Sequence, residues 1–436
     1  MLTLSDAVWQ IRHRKLAPVD LVEQCLQQID RHDDRIRAWV VVDASGAREL
    51  ACLRTLQAKR GHWQGPLHGI PLGVKDLIDV AGLPTRAGSP LGDPSPVRTD
   101  APLVAALRQA GAIILGKTVT VQYAAFDPPP TRNPWDPALQ RTPGGSSSGS
   151  AAALAMGMCL GAIGTQTGGS LVRPSSYCGV ATCKPTFGRI RTEGIVPLSA
   201  HLDHPGPMAR NVEDLELLLR VLLPGWQPAP GLSRPPRLGL VEGFFLERAD
   251  AKIRQATLTA VDRLRAAGAQ VESIRLELDF QTILDMHWRI MAVEAAAFHR
   301  QAFASHRSSY GPKLASLLDE GLAVSAVDYA AALAHQRNLR RTADALVGQF
   351  DALLMPATDD TAPGLETTGK RDFQAPWSYM GLPVVSLPCG LAADQMPAAV
   401  QLVQRTNRES HLLAVARWCQ RQLAFTDTPP GTSEGT

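Results

Sequence analysis

Residues Gly144–Gly188 read GGSSSGSAAALAMGMCLGAIGTQTGGSLVRPSSYCGVATCKPTFG. Glycine and serine are dense here around two apolar segments. Ala151–Met158 has the small-residue composition of a tightly packed helix, and Gly161–Thr165 reads as a buried strand. That strand runs into Gln166-Thr167-Gly168-Gly169-Ser170. Glycines let a backbone approach a ligand closely and permit positive φ. Successive N–H groups in such a loop form an anion-binding nest. A nest ending on a hydroxyl supplies what acyl transfer needs, namely donors aimed at the oxygen that becomes negative as the hydroxyl attacks. Three other readings compete. A Gly/Ser-rich loop often only turns. A phosphate cradle fails on detail, since the chain has no GxxxxGK[ST] and no GxGxxG opening a helix after a strand. Gly145-Ser146-Ser147-Ser148-Gly149 matches the GxSxG nucleophile elbow, with Ser147 as nucleophile and Asp359 and His411 completing the order. The residues before it, Leu139–Pro143, do not read as the buried strand that elbow requires.

Outward from this stretch, helical and strand patterns alternate. Residues 1–60 read as helices, with Leu21, Val22, Cys25, Leu26 and Ile29 at helical spacing. Gly69–Lys75 is a short apolar strand ending on a charge, Ala101–Ala110 a helix and Ala112–Gly116 a strand. On the other side, the Pro-rich segment 224–236 separates the halves. Arg237–Val241, Ala251–Ala267 and Gln270–Leu276 then form a strand–helix–strand unit extending the same sheet. Residues 280–350 are mostly helical. The pattern predicts an α/β fold, a mixed and largely parallel central sheet with helices on both faces. One domain over 1–428 is expected, with a frayed tail at 429–436.

Composition narrows the function. The 436 residues are 45% hydrophobic and 19% charged, as in a globular protein with a sizeable core. A net charge of +3 gives no global electrostatic case for nucleic acid. The basic cluster Arg337-Asn338-Leu339-Arg340-Arg341 reads as a solvated helix face. The N-terminus carries charges where an export signal needs an apolar run. The most membrane-like stretch, Ala151–Gly164, falls short of the roughly 20 residues that span a bilayer. Seven cysteines without a pairing pattern suggest reduced thiols in a cytoplasmic protein. The histidines show no HExxH or HxH spacing, so neither metal nor cofactor is expected.

The central stretch resembles the amidase signature family, whose pattern runs Gly-Gly-Ser-Ser-x-Gly-Ser-Ala-Ala, then Gly-Thr-x-Thr-Gly-Gly-Ser, then Cys-Gly-x-x-x-x-Lys-Pro-Thr. The similarity extends to Pro66–Asp76 (PLHGIPLGVKD), Arg132–Asp136, Arg141–Gly145, Leu202–Arg210 and Gly381–Gly390, and is weakest over 277–345. It implies hydrolysis of a small carboxamide through a seryl acyl-enzyme. The family's lysine falls on Lys75, its bridging serine, which follows a cis peptide bond, on Ser146, and its nucleophile on Ser170. Its oxyanion-hole amides fall on Thr167, Gly168, Gly169 and Ser170. A serine needs a base, and a lysine serves only when neutral, so burial or nearby positive charge must pull Lys75 below its usual value of about 10.4. Residue by residue the plain alternatives are that Lys75 pairs with Asp76 or Asp79, Ser146 caps a helix, and Ser170 sits in an ordinary turn.

The family commonly carries Asp and Arg where this chain has Gln166 and Val172. Both members of an expected ion pair are missing together, which is gentler than losing one. Arg173, one position later, is the candidate to compensate. The same signature serves the A-type subunit of tRNA-dependent amidotransferases, which works with partner subunits, and a non-catalytic scaffold would keep the fold alone. Tyr123, Phe126, Trp288, His299 and Tyr310 are candidate pocket-wall residues, each with core packing as the plainer role. The expected partner is a small amide or urea-like substrate, with no nucleic acid or membrane. The sequence leaves oligomeric state open, a homo-oligomer included.

Overall fold

The computed structural model describes residues 1–432 of the chain. Eleven strands form one sheet: β1 (Trp39–Val42), β2 (Pro71–Lys75), β3 (Ile113–Thr118), β4 (Gly161–Gln166), β5 (Ala181–Lys184), β6 (His204–Ala209), β7 (Arg237–Val241), β8 (Gln270–Ile274), β9 (Ala352–Pro356), β10 (Val384–Leu391) and β11 (Pro397–Val403). Their order is β1-β3-β2-β4-β6-β5-β10-β11-β9-β7-β8. The mixed sheet and the strand–helix–strand unit at β7–β8 match expectation. The parallel share is smaller than the helix–strand alternation suggests. Parallel ladders lie toward the flanks, joining β3, β2 and β4 on one side and β9, β7 and β8 on the other. The centre, from β4 through β6, β5, β10 and β11 to β9, is antiparallel.

Side-chain alternation along the strands feeds two apolar layers. In β3, Ile113 and Leu115 pack with Leu154 and the alanines of the helix Ser148–Ala155, while Ile114 faces the opposite layer. In β4, Ala162 joins the first layer and Ile163 the second, with Leu215, Leu218 and Leu219 of the helix Val212–Leu222. The helix Ser148–Ala155 is buried all round, and its small side chains are what allow it so close to the sheet. A Cβ on Gly149 would lie 2.1 Å from the carbonyl oxygen of Ala38.

One reading needs correction. Residues 1–60 are not all helical, because Trp39–Val42 forms edge strand β1, antiparallel to β3. A run of tryptophan and β-branched valines favours the pleated surface over a helix. The expected tail at 429–436 falls partly outside the described residues. Within them, Thr432 N–H donates to the Pro429 carbonyl at 3.3 Å. None of the described helices is long and apolar enough to cross a membrane.

Candidate active site

The parallel pairing of β2 with β4 sets Val74 against Ile163, so Lys75 and Thr165 emerge together at the carboxyl ends of neighbouring strands. Ligands in α/β sheets collect at such ends. Lys75 is fully buried. Its Nζ donates to Ser146 Oγ at 2.7 Å, to Thr165 Oγ1 at 2.8 Å and to the Thr165 carbonyl at 3.4 Å. No carboxylate pairs with it among the described residues. Asp76, the neighbour that offered the plainer explanation, instead forms a fully buried ion pair with Lys117 at 2.9 Å. Burial therefore pulls the Lys75 ammonium well below the ordinary lysine range. The Asp203 carboxylate works against this, and the Arg173 guanidinium adds to it. The Gly145–Ser146 peptide bond is cis.

Thr167–Ser170 leaves the end of β4 with every carbonyl engaged. The Thr167 carbonyl lies 3.1 Å from His287 Nε2, and the Gly168 carbonyl accepts from Ser378 Oγ at 3.3 Å. The Gly169 carbonyl accepts from Arg173 N–H at 2.9 Å, and that of Ser170 from Ser147 N–H at 3.3 Å. None of the four N–H groups finds an acceptor among the described residues. Four N–H groups without a protein acceptor, in one loop with a hydroxyl, remain available to an anion. Burial, with Arg371 adding, pushes His287 down to about 3, so its ring stays neutral. A Cβ on Gly169 would lie 2.4 Å from Gln374 Oε1, so a side chain there would have to displace the end of Gln374.

The two departures from the family pattern find a physical account. Gln166 is buried. Its Oε1 accepts from the N–H groups of Leu171 (2.9 Å) and Val172 (3.0 Å), at the start of the helix Val172–Tyr177. Its Nε2 donates to Ser378 Oγ at 3.0 Å, the hydroxyl that holds the Gly168 carbonyl. The neutral amide thus caps the helix and braces the loop without burying a charge. Arg173 does not stand in for an ion-pair partner. Its guanidinium binds the carbonyls of Gly145 (2.6 Å) and Gly369 (2.7 Å), fixing the backbone just before Ser146.

Not every expected residue meets the others. The Ser146 hydroxyl bonds to Lys75, and no hydrogen bond joins it to the Ser170 hydroxyl. Ser146 does not cap the helix, which starts at Ser148 with Ser147 at the N-cap. The elbow reading fails: Ser147 Oγ is buried against Thr165 N–H and the Thr165 carbonyl. Asp359 pairs with Lys370, and His411 with Asp351. Of the wall residues, Phe126 lines a narrow cleft at Ser170, and Trp288 packs on it, ring centroids 5.2 Å apart. Tyr123, His299 and Tyr310 form an aromatic cluster, with Tyr310 Oη 3.2 Å from His299 Nδ1.

The structure adds residues that the sequence reading missed. Arg371 and Met291 line the cleft with Thr167–Ser170 and Arg173. A second cavity of about 550 Å³ shares Ala124, Thr167 and Leu198 with it and reaches Thr165 and Asp203 on the Lys75 side. The Asp203 carboxylate is saturated by Thr167 Oγ1 (2.5 Å) and by the N–H groups of Leu198 (2.9 Å) and Ser199 (3.0 Å). Thr165 carried a usable signal, a hydroxyl in an otherwise apolar strand within the decisive stretch. Arg371, His287, Gln374 and Ser378 carried none, because each arrives from a distant segment.

Comparison with known proteins bears on the chain as a whole. The model of the family described as Amidase matches residues 20–413. An amidase from Pseudomonas putida is 35% identical over 91% of this chain and 91% of its own. The A-type subunit of the glutamyl-tRNA(Gln) amidotransferase from a Roseiflexus species is 31% identical over 96% of both chains. A crystal structure of an amidase superposes with a TM-score of 0.89 at 33% identity, covering 97% of this chain and 100% of that one.

Proposed function

The chain belongs to the amidase family and hydrolyses an amide C–N bond, and from that premise we propose that Ser170 is the nucleophile, Ser146 the proton relay and neutral Lys75 the base. The observation that carries the assignment is the pairing of a fully buried lysine, without a carboxylate partner, to Ser146 at 2.7 Å beside four unspent loop amides. Ser146 passes a proton to Lys75 and takes one from Ser170. Ser170 Oγ attacks the carbonyl carbon, and the amides of Thr167–Ser170 receive the developing oxyanion. The protonated relay then gives its proton to the leaving nitrogen, which departs as ammonia or amine. Water hydrolyses the acyl-enzyme through the same groups. The Ser146–Ser170 leg closes when substrate binds, as catalytic hydrogen bonds that are long in a free enzyme commonly do.

Likeness to an A-type amidotransferase subunit supports a second reading, glutamine hydrolysis in the company of partner subunits. Ammonia release by the purified chain separates the two. We expect wild type to release ammonia from simple aliphatic, aromatic or urea-like amides, and Ser170→Ala and Lys75→Ala to lose that activity with folding intact. Turnover surviving Ser170→Ala contradicts the assignment, and turnover of glutamine only with added subunits favours the second reading. One catalytic domain over 1–428 and a cytoplasmic location complete the proposal, the latter supported by seven unpaired cysteines, six of them buried.

A further inference from the structure

The cleft over Ser170 holds two guanidinium groups in very different circumstances. Arg173 is spent on backbone carbonyls. Arg371 has no partner: among the described residues none of its nitrogens makes a hydrogen bond to a nitrogen or oxygen atom, no carboxylate lies within ion-pair distance, and its Nε, like that of Arg173, is buried and unsatisfied. The carboxylates that face it most directly, Asp285 and Asp372, are beyond that distance. The group is nonetheless held in place. Its Cζ lies over the Trp288 ring, 4.5 Å from the centroid, and 5.9 Å from the centroid of Phe126. A Cβ on Gly168 would lie 3.1 Å from Arg371 Cδ, so its stem packs on the oxyanion loop itself.

A guanidinium held over a ring by a cation–π contact keeps N–H donors free, and its planar fork matches a carboxylate through two parallel hydrogen bonds. Arg371 is half-buried with its Nε shielded from solvent, and a partly desolvated cation without a partner gains from a bound anion. The opposite side of the site offers no such vacancy, because the Asp203 carboxylate already has three donors. The site is therefore polarised, with a free cation at one end and a satisfied anion at the other.

We propose that the substrate carries a carboxylate near its scissile amide and that Arg371 binds it. Arg371 is then a specificity-determining residue, and the substrate class is the half-amides of small dicarboxylic acids or their urea-like counterparts. This rests on the reading of Ser170 as nucleophile.

The test uses matched pairs in which a methyl group replaces the carboxylate: propionamide against malonamate, butyramide against succinamate, valeramide against glutaramate. In wild type at least one acid should exceed its neutral partner in kcat/KM by about 10- to 100-fold, the worth of a hydrogen bond to a charged group. In Arg371→Met that ratio should fall to about one, through KM. Equal rates for all three pairs in wild type, or a ratio unmoved by the substitution, overturns the proposal. A second measurement does not depend on the variant folding. Malonate, succinate or glutarate should slow fluorophosphonate labelling of Ser170 in wild type, where the neutral amides do not. Equal protection by acids and amides overturns this proposal alone. No labelling of Ser170 at all removes the nucleophile assignment and this proposal with it.

Discussion

At the scale of single residues, the site depends on one lysine kept neutral by burial. Lys75 is buried among hydroxyls and a carbonyl rather than carboxylates, so its proton leaves more easily than from lysine in water. The rate should therefore rise with pH along an acidic limb whose midpoint lies well below the usual lysine value of about 10.4. A pH profile of kcat/KM for wild type checks this, and a limb near 10.4 speaks against Lys75 as the base. Gly169→Ala tests the loop. The methyl group meets Gln374 Oε1, the end of a side chain, so either Gln374 or the loop amides must shift. Where the amides give, we expect kcat to fall about 10²- to 10³-fold, as when one oxyanion donor is lost, with unchanged circular dichroism; an unchanged kcat shows that Gln374 gives way instead. The proposed roles of Lys75, Ser146 and Ser170 were legible because they sit in two compact motifs. The residues that surround them were not. Arg371 reaches the cleft from a loop 201 positions beyond Ser170, and no local pattern announces it.

At the scale of elements, Gln166 ties strand to helix to loop. It ends β4, caps the helix Val172–Tyr177 and holds Ser378. In sequence it was visible only as a departure from the family pattern, because the partners that explain it are backbone amides and a distant serine. Gln166→Leu keeps the volume and removes all three bonds, leaving buried groups unpaired. We expect a loss of about 1–3 kcal/mol in stability by denaturant titration, together with a fall in kcat larger than any change in KM. Activity matching wild type would show that the loop holds its shape without this brace. Elements also mark the limit of pattern reading. Strand β6 is central, yet it contains Pro205 and Pro207, and proline argues against a central strand. In β10, Pro388 stands at a register shift, where the ladder tolerates a residue without a donor. The sequence pattern indicated β2, β3, β4, β7 and β8 and the helix between the last two, whereas β9, the helices Val212–Leu222 and Glu409–Leu423 and the proline-bearing centre showed only in three dimensions.

At the scale of the whole molecule, Lys75 places function and stability in opposition. The unfolded lysine binds a proton more readily than the folded one. Below the folded value the penalty is present in full, and as pH rises toward about 10.4 it disappears, so this contribution makes the fold more stable with pH. Lys75→Met removes it. The variant's melting temperature relative to wild type should therefore be highest near neutral pH and decline between pH 7 and 10. A difference that stays flat or grows contradicts the lowered lysine value. The buried pair Asp76–Lys117 belongs to the structural account instead, since it occupies the carboxylate that would otherwise sit beside Lys75. Asp76→Ala leaves the buried Lys117 without a counter-charge, held only by the Pro84 carbonyl and the Thr85 hydroxyl, and should cost about 3–5 kcal/mol by the same titration.

The central claim, that Ser170 is the nucleophile, is tested most directly by treating the protein with a fluorophosphonate and locating the adduct by peptide mass spectrometry. The account predicts a single modification on Ser170, abolished in Ser170→Ala and strongly slowed in Lys75→Ala. An adduct on Ser147 or Ser146, or labelling of Ser170 at an unchanged rate without Lys75, would contradict it.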